Sequence, residues 1–152
     1  MITLKRTNSE DRDFVNLVGH LDADLKIRDG KDHDFYHQFN AITNIKQCIV
    51  AYQNDTAVGC GGIKGLGGDK TMEVKRMYVL PEYRGKSIAA KILSELETWT
   101  KELGFYKCIL ETGYNQPEAI RLYEKSRYHV IDNYGQYANV PNSICFGKNL
   151  NN

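Results

Sequence analysis

The chain has almost no net charge: 20 basic residues stand against 19 acidic ones, a formal +1. Nucleic-acid binding would want a strong positive excess, so no nucleic-acid partner is expected. No apolar run approaches membrane-spanning length, and Met1-Ile2-Thr3-Leu4-Lys5-Arg6 does not read as a signal peptide. The expected setting is therefore cytoplasmic, with no membrane partner. Cysteine is sparse. Cys48, Cys60, Cys108 and Cys145 form no CxxC pair and sit in apolar, strand-like runs, which reads as reduced core residues rather than disulfides or metal ligands. The four histidines, His20, His33, His37 and His129, are dispersed. His33 and His37 lie one helical turn apart, but no further ligand signature accompanies them, and no metal is expected. Internal repeats, low-complexity tracts and linkers are also missing, so residues 1–152 read as one domain.

What is present centres on Glu73 to Leu103, which reads as a strand, a basic loop and a long helix. Val74, Met77, Tyr78 and Val79 are strand formers, and Leu80-Pro81-Glu82 stops the strand because proline offers no ladder donor. On strict alternation Glu73, Lys75 and Met77 share one face, and Val74, Arg76 and Tyr78 the other. From Ser87 onward Ile88, Ala89, Ile92, Leu93, Leu96, Trp99 and Leu103 recur at helical spacing. Ser87 is a candidate cap, and Gly104 stands just past the end. The loop between is a candidate phosphate cradle. The first amides of a helix lack intrahelical acceptors, and the dipole there favours an anion. A solvated basic turn before an ordinary amphipathic helix explains the same residues. A P-loop is excluded, because position 80 is Leu80 rather than glycine.

Around this centre, Ile2–Thr7 reads as a first strand, with a helix behind it carrying Phe14, Leu17, Val18 and Leu21; Asn8, Ser9 and Glu10 have capping character. A short second helix is expected over residues 33–39. Gln47–Tyr52 and Thr56–Ile63 read as a hairpin in which Gly59, Gly61 and Gly62 mark bulges or close approaches, and a turn follows at Gly65, Gly67, Gly68 and Asp69. Lys107–Thr112 is a buried strand, Pro117 opens a helix, and Tyr128–Tyr134 and Ser143–Lys148 are closing strands. A right-handed crossover makes the fourth and fifth strands parallel neighbours.

Two stretches resemble the GNAT (GCN5-related) N-acetyltransferases. Arg84-Gly85-Lys86-Ser87-Ile88-Ala89 is similar to motif A of that family, with Ser87 where glycine is usual. Ala119, Leu122, Tyr123 and Tyr128 are similar to motif B, with Arg127 where glycine is usual. The first departure matters if that residue needs a backbone conformation that only glycine takes cheaply, and the second bears on how the local helix ends. The likeness covers nearly the whole chain, most sharply residues 73–128.

The resemblance implies a mixed α/β GNAT fold: a mostly antiparallel central sheet of about seven strands, flanking helices, and splayed fourth and fifth strands. It implies acetyl transfer from acetyl-CoA to a primary amine. Cofactor contacts carry over to Met77, Tyr78, Val79, Arg84, Gly85, Lys86, Ser87, Ile88, Ala89, Asn115 and Tyr123. Tyr123 matches the usual general acid; packing on the helix face is its plainer reading. Glu73 and Glu111 are rival bases. The acceptor is expected to be a small molecule, with Tyr134, Tyr137 and the 135–142 loop shaping its pocket. A protein N-terminal or lysine acetyltransferase and a non-catalytic acyl-CoA-binding module stay open, as does a homodimer.

Overall fold

The computed structural model describes residues 1–30, 45–66 and 70–151. The expected helix at 33–39, with His33 and His37, and the turn residues Gly67, Gly68 and Asp69 lie outside them. In order the elements are β1 (Ile2–Thr7), α1 (Arg12–Asp29), β2 (Gln47–Gln53), β3 (Thr56–Gly65), β4 (Thr71–Val79), α2 (Ile88–Glu102), β5 (Lys107–Gly113), α3 (Pro117–Lys125), β6 (His129–Ile131) and β7 (Ser143–Asn149). They build one sheet in the order β1-β2-β3-β4-β5-β7-β6. Only β4 and β5 pair in parallel.

Each face of the sheet takes one apolar layer. Phe14, Leu17, Val18 and Leu21 of α1 pack against Cys48, Val50, Cys60 and Tyr78. On the opposite face Ile88, Ile92, Leu93 and Leu96 of α2, with Tyr123 of α3, pack against Ile49, Ile63, Val74 and Phe146. Burying such a side chain fully contributes about 1.5–3 kcal/mol, so the two helical stripes carry much of the fold. All four cysteines are free and buried. Gly59 and Gly61 are packing glycines: a Cβ at Gly59 would stand 3.0 Å from the Tyr78 carbonyl, and one at Gly61 would overlap the Met77 sulfur.

Several boundaries differ from the sequence reading. The cap of α1 is Asp11, whose carboxylate accepts from the Phe14 amide at 3.0 Å, whereas Asn8 accepts from the Glu10 amide one turn earlier. The last turn of α1 continues through Lys26 to Asp29 before Gly30 turns the chain at φ 55°. Strand β6 covers only His129–Ile131, because Tyr128 turns inward to the core and Asn133 instead donates to the carbonyls of Val140 and Ser143. Ser87 does not cap α2. It lies in the left-handed region, at φ 63° and ψ 20°, and makes no capping bond.

The strict alternation read along β4 is also broken. Lys75 pairs with Gly62 and Tyr78 with Cys60, so Arg76 and Met77 together oppose the single residue Gly61. This is a β-bulge, with Arg76 at φ 60°. The extra residue resets the faces. Val74 and Met77 pack in the same layer under α2, while Arg76 reaches α1 and ion-pairs with Asp22.

Candidate active site

Strands β4 and β5 pair only at Thr71–Lys107, Met72–Cys108 and Glu73–Ile109. Beyond Glu73 they diverge, β4 running on to Val79 and β5 to Gly113. A cavity of about 470 Å³ opens in the resulting V, walled by β4, β5, the starts of α2 and α3, and the last turns of α1.

One end of the cavity is the start of α2. Arg84, Gly85, Ser87, Ile88 and Ala89 line it. Gly85 and Ser87 both take positive φ, at 82° and 63°, so the loop turns through the left-handed region just before the helix begins. No side chain caps α2, which leaves its first amides for an anion. Arg84 is held rather than loose: its Nε donates to the Val79 carbonyl at 2.9 Å, and its guanidinium lies 5.5 Å from the centre of the Tyr78 ring. That bond takes one of the two lone pairs of the Val79 carbonyl. Lys86 does not line the cavity; its ammonium sits over the Tyr83 ring.

The other end holds the carboxylates. Glu73 and Glu111 both line the cavity just where β4 and β5 part. The Tyr134 hydroxyl donates to Glu73 Oε2 at 2.7 Å, and Lys75 Nζ stands 3.8 Å from Glu73 Oε1. Burial pulls the Lys75 ammonium below its ordinary value, against the attraction of Glu73. Glu111 Oε2 accepts from the Ser143 hydroxyl at 2.7 Å. Burial pushes the Glu111 carboxyl up to about 7, opposed by the Ser143 bond and reinforced by the charges of Asp29 and Glu73. Tyr137 is buried and lines this end, its ring edge-on to that of Tyr134 at 5.9 Å.

Tyr123 connects the two ends. It lines the cavity from α3 and is buried against Tyr128 and Phe146, at ring separations of 5.8 and 6.0 Å. Burial and then the Glu111 charge push its hydroxyl above its ordinary value, so it stays protonated at neutral pH. Asn115 is not part of the lining. Its amide donates to the Arg28 carbonyl at 3.3 Å, and Gln116 lines the cavity instead.

The sequence reading missed Lys75, Ser143 and Arg28. Arg28 bridges Asp24 of α1 and Glu118 of α3, two residues on opposite walls of the cavity. Its pairing with Asp24 is an i,i+4 pair within α1, but Glu118 lies far along the chain, and no local motif signals the link between the two helices.

The cavity between the splayed parallel strands thus has the uncapped start of α2 at one end, two carboxylates at the other and Tyr123 in its wall. Residues 14–127 match the model of the acetyltransferase (GNAT) family, and the chain belongs to that family of acyltransferases. It is 35% identical over 102 residues to an IAA acetyltransferase of Azospirillum brasilense, covering 67% of each chain. The alignments span about half to two thirds of the length of the first curated relatives. Among solved structures it is similar to a putative acyl-CoA N-acyltransferase of Klebsiella pneumoniae, with a TM-score of 0.82, 26% identity and coverage of 99% and 98%. An acetyltransferase of Elizabethkingia anophelis with acetyl-CoA bound shares the fold, with a TM-score of 0.71, 17% identity and coverage of 98% of each chain.

Proposed function

We propose that the chain transfers the acetyl group of acetyl-CoA to a primary amine of a small molecule by direct attack in a ternary complex. The observation that carries this is a single cavity joining the uncapped start of α2 to Tyr123, Glu73 and Glu111. The cradle fits a pyrophosphate: no side chain caps the start of α2, and Arg84 is fixed beside it. Acetyl-CoA, when bound, supplies the acyl group as a reactive thioester. Met77, Tyr78 and Val79 line the cavity along β4 and would flank its pantetheine arm.

The chain's own residues handle protons. Tyr123 stands ready to protonate the departing sulfur, and a carboxylate accepts the proton that the amine must lose. Glu111 suits that task, because Glu73 is engaged by Tyr134 and faces Lys75. The small-molecule reading rests on Tyr137, which lines the cavity with the Tyr134 ring edge-on to it, and on the Arg28 bridge between α1 and α3. The free, buried cysteines suit a cytoplasmic setting.

The test is calorimetric titration of acetyl-CoA, followed by release of free thiol across a panel of amines. Saturable binding should raise the stability by about 2.7 kcal/mol at a hundredfold excess over Kd. Binding with no thiol release on any amine would favour a non-catalytic acyl-CoA-binding module. Turnover only on lysine-bearing peptides would favour the protein acetyltransferase reading.

A further inference from the structure

A second hollow, of about 300 Å³, lies between α2 and the C-terminal end of α3. Ala90, Lys125 and Ser126 line both hollows, so the second continues the first beyond the phosphate cradle. Its charged lining is Lys125, Arg127 and Lys148 against Glu97. Glu97 is already committed, accepting from Lys148 Nζ at 3.0 Å and from the Tyr128 hydroxyl at 2.9 Å. Among the described residues neither Lys125 nor Arg127 is ion-paired.

Arg127 sits here at a cost. Its φ is 72°, in the left-handed region, which disfavours a residue with a Cβ. Its amide completes the end of α3 by donating to the Glu124 carbonyl at 3.2 Å, a bond glycine would make equally well without strain. A residue kept in a costly conformation points to work done by its side chain. Here that side chain adds a guanidinium to a basic hollow with a single, occupied carboxylate.

We propose that this hollow is a phosphate-monoester site, and that Arg127 and Lys125 bind the 3′-phosphate of coenzyme A there. The assignment rests on the acetyl-CoA reading of the main cavity. With the pyrophosphate at Gly85–Ala89, the nucleoside end of the cofactor reaches past Ala90 into the hollow that Lys125 and Ser126 share with the main cavity. A phosphate monoester carries close to two charges, and a guanidinium can meet it with two parallel hydrogen bonds. Arg127 then sets the preference for coenzyme A over its dephosphorylated form.

The experiment is calorimetry on the full chain with coenzyme A and with dephospho-coenzyme A, which differ only in the 3′-phosphate. The unmodified chain should bind coenzyme A at least about tenfold more tightly, a difference of about 1.4 kcal/mol. Arg127→Gly should cut that preference to about threefold or less, leave dephospho-coenzyme A binding unchanged and raise Tm, because glycine takes the left-handed angle freely. Arg127→Gln, which keeps the strain and removes the charge, should lose the same preference without the rise in Tm. Equal binding of the two ligands by the unmodified chain overturns the assignment. So does an Arg127→Gly variant that weakens both ligands together. Failure of the unmodified chain to bind even dephospho-coenzyme A would defeat the cofactor reading itself.

Discussion

The Tyr134 hydroxyl and Glu73 Oε2 meet at 2.7 Å, joining the loop after β6 to the last residue of β4 that pairs with β5. Glu73 is buried and Tyr134 half-buried, so the bond is shielded from much of the competing solvent. Burial and the neighbouring Glu73 charge hold the Tyr134 hydroxyl above its ordinary value, so it remains a donor. Hydrogen bonds to charged groups contribute about 1.5–3 kcal/mol, and Tyr134→Phe should cost that much in denaturant unfolding. An unchanged midpoint would show that water replaces the hydroxyl and that the site is wetter than its burial implies.

Glu111 should set stability and turnover against each other across neutral pH. Its folded value of about 7 lies above the ordinary 4.5. The folded chain therefore holds this proton more tightly than the unfolded one. The contribution is fully present below pH 4.5 and is lost as pH rises through 7, by an amount on the order of 3 kcal/mol. Turnover that needs ionised Glu111 should rise over the same interval. Glu111→Gln keeps an acceptor for Ser143 and should flatten the stability change between pH 4.5 and 7.5 while lowering turnover most above pH 7. Urea unfolding across that range checks the first part, and the pH profile of thiol release checks the second.

Much of this was legible in the sequence, for stated reasons. The stripes of α1 and α2 follow helical spacing, and both pack as that spacing requires. The splay of β4 and β5 was implied by the family resemblance, and their pairing indeed stops at Glu73 and Ile109. The bulge at Arg76 was not legible, because a lone arginine inside a strand pattern carries no turn signal; it undid the assignment of faces beyond Lys75. The partners Tyr134 and Ser143 come from loop and strand residues far along the chain, and only the packed sheet brings them to Glu73 and Glu111. The two departures from the family pattern, Ser87 and Arg127, both fall at positive φ, which no reading of residue type alone reveals.

Ser87 offers a direct test of that last point. A Cβ at φ 63° is strained, and Ser87 gains no capping bond in return. Ser87→Gly should therefore stabilise the fold by about 0.5–1 kcal/mol, after allowing for the greater freedom of glycine in the unfolded chain. The amide stays in place, so acetyl-CoA affinity should hold or improve. A fall in Tm would mean that the Ser87 hydroxyl makes a bond in solution that offsets the strain.

Tyr123 is where packing and chemistry make opposite predictions. As a packing residue it contributes its ring to Tyr128, Phe146 and the α2 layer, and Tyr123→Phe keeps that ring. Stability and acetyl-CoA affinity should then change little. As a proton donor it contributes only the hydroxyl, and the same substitution should lower kcat by roughly ten- to a thousand-fold. Because its hydroxyl stays protonated through neutral pH, the loss should be uniform from pH 6 to 8 rather than confined to one limb of the profile. A variant with intact folding, intact binding and full turnover would leave the departing sulfur to be protonated by water. The hydroxyl of Tyr123 would then have no part in catalysis.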